Sequence, residues 1–145
     1  MNPTSAYRET AIRGAGPVRL VVLLYEQMIE DLRQAMNAIK HNQIEVRTNK
    51  INHAISVIGY LQSSLDKKAG GKVALNLERF YQQLRANLTK AQFSVSPRIL
   101  SQQITDLLAV REAWSEAERA ETDAAQTKPM APQGDVRSAP RSFAG

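Results

Sequence analysis

The sequence predicts an all-α protein: an antiparallel up-down four-helix bundle with an N-terminal arm and a disordered C-terminal tail. Three observations carry this reading. Apolar residues recur at steps of three and four through the middle of the chain, the period of a helix face. Polar, glycine or proline breaks divide that stretch into four segments joined by short connections, which place successive helices antiparallel. No alternating strand pattern competes, and the composition, 43% hydrophobic and 23% charged over 145 residues, is that of one globular domain.

Residues 1–15 are polar or small apart from Tyr7 and read as an arm. The bundle is expected over residues 16–120. Its first segment opens at Pro17, a favourable first helical position, and carries Val21, Tyr25, Met28, Leu32, Ala35 and Ile39 in a strict stripe. His41, Asn42 and Gln43 break it. The second segment carries Ile51, Ala54 or Ile55, Ile58, Leu61 and Leu65. The stretch from Asp66 to Gly71, with its two glycines, is expected as an interhelical turn. The third segment carries Val73 or Ala74, then Leu77, Tyr81, Leu84, Leu88 and Ala91. Ser96 reads as an N-cap with Pro97 just inside the fourth helix, whose stripe is Leu100, Ile104, Leu107, Arg111 and Trp114. Residues 121–145 hold three of the six prolines, balanced charges and few large apolar groups. Such a segment buries too little to offset its ordering entropy and is expected to be disordered.

Composition excludes several classes. There is no cysteine, so disulfides, thiolate metal sites and cysteine nucleophiles are absent. No apolar run is long enough for a transmembrane helix, and the N-terminus lacks the apolar core of a secretory signal, so a cytoplasmic protein is expected. The formal charge is +5, but basic residues are scattered among acids along the chain, so nucleic acid is not expected as a partner.

Catalytic constellations are missing as well. His41 falls in a loop, and His53 lies well away from the apolar stripe of its segment, a solvated position. No metal site, cofactor or catalytic residue is expected, and the protein is not expected to be an enzyme. Glu26, Glu30 and Asp31 read as a solvated helix face. Gly70-Gly71 lacks the following Gly-Lys-Ser/Thr and the preceding strand of a phosphate loop.

Surface remains. The apolar arc of the first helix is about 200° wide, where ~100° suffices for a helix lying on one core. Leu23 lies outside even this arc. Contact with two neighbouring helices accounts for part of the excess; a groove that accepts another apolar helix accounts for it more sharply. Tyr7 on the arm is placed to fill such a groove until a ligand displaces it.

The ordered set of these features resembles the flagellar export chaperones of the FliS family. The run from Ala6 to Ile39 resembles that family's opening: a Tyr in an arm, a small-residue turn with Pro, then a Leu-rich run ending in Leu24, Tyr25 and Glu26. Lys50, Ala54, Ile55, Ile58, Leu61 and Leu65-Asp66 are similar to its second helix. Gly70-Gly71, Ala74, Asn76-Leu77 and Phe80-Tyr81 are similar to its Gly-Gly signature, and Leu107-Leu108 with Arg111 to Trp114 resemble the end of its fourth helix. The turn often reads Thr-Ala-Ser-Pro in the family but is Gly14-Ala15-Gly16-Pro17 here, which removes a capping hydroxyl.

The resemblance implies a chaperone that binds the disordered C-terminal segment of flagellin in apolar grooves, prevents premature polymerisation and delivers the subunit to the flagellar type III export apparatus, whose gate component is a second partner. It implies partner contacts at Tyr7, Leu20, Leu23 and Tyr25 and, by extrapolation, at Ile51, Ile55, Leu75 and Leu77. Of the last two, Leu75 is the better surface candidate. A regulatory or nucleic-acid-binding helical bundle is the alternative reading, resting on charge alone.

Overall fold

The computed structural model describes residues 16–127, all side chains included except those of residues 125–127. Four helices follow one another: α1 (Pro17–Lys40), α2 (Ile44–Ser63), α3 (Lys67–Ser94) and α4 (Pro97–Thr127). No strand occurs among the described residues, and none of their helices is long and apolar enough to cross a membrane.

The boundaries follow from local chemistry. Pro17 occupies the first turn of α1, and Gly16 contributes a backbone carbonyl to Leu20 N at 2.9 Å but no side-chain cap. The helix stops at His41 and Asn42. Asn42 has φ 56°, a left-handed conformation that asparagine tolerates, and Gln43 N then donates back to Ala38 O at 2.8 Å. At the other interhelical turn Val95 takes φ 50°, and the Ser96 hydroxyl accepts from Ile99 N at 3.1 Å, the expected N-cap ahead of Pro97.

Two boundaries differ from expectation. The stretch from Asp66 to Gly71 is not a plain turn. The Asp66 carboxylate caps α3 by accepting from Lys68 N and Ala69 N at 3.2 and 3.0 Å, so the helix starts at Lys67. It kinks at Gly71, whose φ of 53° and ψ of −130° only glycine adopts without strain. Helix α4 also runs on through residues 121–127, which were expected to be disordered. This stretch includes Glu121, Ala124, Ala125 and Gln126, all good helix formers, and the Thr122 hydroxyl donates to Glu118 O at 3.0 Å. Residues 1–15 and 128–145, the arm and most of the expected tail, lie outside the described residues.

Among the described residues, those from Gly16 to Ser115 form one compact unit, and the remainder of α4 belongs to a second. In the first unit, neighbouring helices run antiparallel. Asp31 of α1 meets His53 of α2; Arg47 and Gln62 of α2 bond Gln92 and Arg85 of α3. The stripes predicted from the periodicity converge on a single core that includes Met28, Leu32, Ile58, Leu84, Leu88 and Leu107. Of the two candidates at the start of α3's stripe, Ala74 is buried and Val73 is exposed.

Candidate functional site

The kink at Gly71 opens the N-terminal part of α3 away from a straight helical path. Beside it lies a depression of about 350 Å³, lined mainly by Leu65, Gly70, Val73, Ala74, Leu77 and Trp114. The α2–α3 connection, the kinked start of α3 and α4 contribute. The lining is apolar, with Ser64 and Asp66 at its edge. Tight packing helps to shape it, since a Cβ placed on Gly70 would come within 2.7 Å of Ala74 Cβ. Val73 and Leu75, on the same stretch of helix, are exposed large hydrophobics. An open apolar hollow bounded by an indole and flanked by bare aliphatic side chains suits the apolar face of a helical peptide.

A buried polar relay braces the Trp114 wall. The Tyr25 and Tyr81 hydroxyls are 2.8 Å apart, with their rings edge to face at a centroid distance of 6.3 Å. The Trp114 side chain lies close enough to Tyr25 to favour its charged form slightly. Either hydroxyl of the tyrosine pair can donate to the other. Burial raises both phenols above their usual range, so they stay neutral at every physiological pH.

The structure separates the residues singled out from sequence. Leu77 lines the depression, while Leu75 is half exposed on the same stretch of α3 and is not part of the lining. Leu20 and Ile55 are half-buried, with Ile55 packed on the core. Tyr25 and Ile51 are wholly buried, and both belong to the core. Tyr25 therefore reaches the site only through Trp114. Leu23 corrects its expected position off the core stripe: it is 4% exposed, because α1 buries nearly its whole apolar circumference rather than one arc. Tyr7 lies outside the described residues.

Sequence reasoning missed Trp114 and Val73 as site residues. Trp114 was assigned to a core stripe by spacing alone, yet an aromatic at the last position of a stripe sits where neighbouring helices end, and there it becomes a wall. Asp31 is also corrected: it is not part of a solvated face but is 1% exposed. Its position, three residues after Met28, falls inside the wide apolar arc, and His53 supplies a partner there. Glu26 and Glu30, expected on the same solvated face, are only partly exposed and each has a partner. Glu26 pairs with Arg111 at 3.2 Å, both about a third exposed, and Glu30 accepts from Gln34 at 2.8 Å.

Comparison with known proteins points the same way as this architecture. A model of the family described as "Flagellar protein FliS" matches residues 1–121. The flagellar secretion chaperone FliSB of Pseudomonas aeruginosa is 36% identical over 106 residues, covering 73% of this chain and 84% of that protein. The flagellar secretion chaperone FliS of Vibrio cholerae is 27% identical over 108 residues, covering 74% and 79%, and that of Bacillus subtilis is 22% identical over 120 residues, covering 83% and 89%. The chain belongs to the FliS family.

Proposed function

We propose that this protein is a flagellar export chaperone. It binds the disordered C-terminal segment of flagellin, prevents premature polymerisation, and delivers the subunit from the cytosol to the flagellar type III export apparatus. The observation that carries the reading is the family match over residues 1–121, with relatives that are named as flagellar secretion chaperones. The apolar depression at Leu77 and Trp114 supports it on physical grounds.

The mechanism is competition. A flagellin terminal segment that folds into helices with apolar faces self-associates through them. Seating one such face against Leu77, Val73 and Trp114 removes it from solution and blocks nucleation. Ordering a disordered ligand costs ~2–5 kcal/mol of the gross interaction, which leaves a complex that dissociates at the export gate. No catalytic step and no cofactor enter this cycle. Tyr7, Leu20 and Ile55 are further proposed contacts, while Leu23, Tyr25 and Ile51 act by holding the surface in shape.

Seeded polymerisation of purified flagellin, followed by light scattering, tests the role. A stoichiometric amount of this protein is expected to suppress filament growth, and a Leu77→Asp variant of retained helicity is expected to suppress it less. Unaltered growth in the presence of the wild-type protein rejects the chaperone reading.

A further inference from the structure

The bundle end opposite the Trp114 depression holds the α1–α2 and α3–α4 turns. Charges scattered along the sequence come together there. Residues 36–51 and 87–104 carry Lys40, Arg47, Lys50, Lys90 and Arg98 against one acid, Glu45. The rest of the compact unit, residues 17–35, 52–86 and 105–115, is nearly balanced, with eight Lys and Arg and seven Asp and Glu. The net positive charge of the bundle is therefore concentrated at this end.

Two further features accompany it. Four large apolar side chains are exposed there: Ile44 at 66%, Phe93 at 85%, and Val46 and Val95 less so. Ile44, Arg47 and Val95 line one small notch between the two turns. Val95, a β-branched residue, is held at φ 50°. Beside them, α3 and α4 enclose a polar depression of about 410 Å³ lined by Asn87, Lys90, Arg98, Ile99, Gln102 and Gln103. No acid lines it among the described residues. Gln102 is engaged by Asp106 at 3.0 Å. Gln103, in the lining of this depression, is only 4% exposed. An amide in the lining of a hollow that also carries two cations and no acid can donate to an anion.

We propose that this end of the bundle is a second docking surface, for an acidic amphipathic segment of a partner protein. A carboxylate of that segment enters between Lys90 and Arg98 and accepts a hydrogen bond from the Gln103 amide. Its large apolar side chains cover Ile44, Phe93 and Val95. Charge complementarity selects the occupant. Residues 1–15 and 128–145 of this chain are themselves net basic, and residues 116–127 are acidic but contain no large apolar side chain. A second copy meeting this face symmetrically would oppose like charges. A nucleic acid would satisfy the cations but leave the aliphatic Ile44, Val46 and Val95 uncovered. This surface is distinct from the flagellin site proposed above and does not depend on it.

The test is fluorescence anisotropy of the full-length protein with a labelled helical peptide bearing Glu on one face and Leu and Phe on the other. Saturable binding is expected, weakened about tenfold or more when Gln replaces Glu in the peptide, and by a similar factor in Lys90→Glu/Arg98→Glu protein of unchanged circular dichroism. Gln103→Leu is expected to weaken it less, and the flagellin C-terminal peptide is expected to bind the double variant as it binds wild type. Equal binding of the Gln peptide, or wild-type affinity in the double variant, overturns the proposal. So does tighter binding of a mixed-sequence oligonucleotide at the same face, or a concentration-dependent mass that the double variant abolishes.

Discussion

His53 Nδ1 lies 2.5 Å from Asp31 Oδ2 and joins α2 to a carboxylate of α1 that is 1% exposed. Gln27 Nε2 donates to the other oxygen at 3.0 Å, and Lys50 lies near enough to add a weaker attraction. Desolvation nonetheless dominates and raises the Asp31 carboxyl above its ordinary 3.8. The folded state thus holds the Asp31 proton more firmly than the unfolded chain does. Stability from this group is full below 3.8 and is lost as pH rises through the raised value.

This sign yields a prediction. Relative to Asp31→Asn, the wild-type protein loses stability as pH rises from 3.8 towards neutrality. His53→Ala removes the ring that offsets the buried charge and lowers stability at pH 7 by about 1–2 kcal/mol, the scale of a hydrogen bond to an ionised group with one partner half in water. Urea denaturation across that pH range measures both.

The Tyr25–Tyr81 pair titrates at the other extreme. Both folded phenols are raised, so the stability they carry is present below the ordinary 10.0 and lost as pH climbs above it. Tyr81→Phe costs about 0.5–1.5 kcal/mol at neutral pH, because Tyr25 loses its hydroxyl partner. Its stability also falls less steeply above pH 10. Alkaline unfolding followed by circular dichroism checks this.

Gly71→Ala is a test of the kink. A Cβ at φ 53° costs about 1–2 kcal/mol, although nothing lies within 4 Å to obstruct it. The Asp66-capped first turn of α3 is the part that yields. A modest fall in thermal stability is expected, together with weaker binding of a flagellin C-terminal peptide, since Gly70, Val73 and Ala74 wall the depression.

Leu23 and Leu75 separate fold from site. Leu23→Asp places a charge in a position 4% exposed and should collapse helicity, at a cost of about 3 kcal/mol or more. Leu75→Asp, at a position half exposed, should leave the circular dichroism spectrum intact and weaken flagellin-peptide binding. Measuring both properties on both variants distinguishes a framework residue from a contact residue.

The helices were legible because each signal was local and repeated. Pro17, the break after Lys40, the Ser96 cap and the period of the stripes act within a turn or two of the chain. Asp66 was harder: its two cap bonds and the kink five residues later turn an apparent loop into helix. The site was legible only in part. Leu75 and Leu77 stood out on α3, but the importance of Trp114 depends on the depression it walls and on Tyr25 beneath it. Asp31 was misread because a carboxylate's burial depends on what faces it from another helix, and spacing within α1 does not reveal His53. The gathering of Lys90, Arg98 and Arg47 at one end is a property of antiparallel packing, invisible when charges are read along the chain.

Isothermal titration of the full-length protein with a flagellin C-terminal peptide, with the N-terminal segment as control, tests the central claim most directly. The account predicts saturable one-to-one binding of the C-terminal peptide alone, with a negative heat-capacity change from apolar burial. Absence of binding, or equal binding of both peptides, would contradict it.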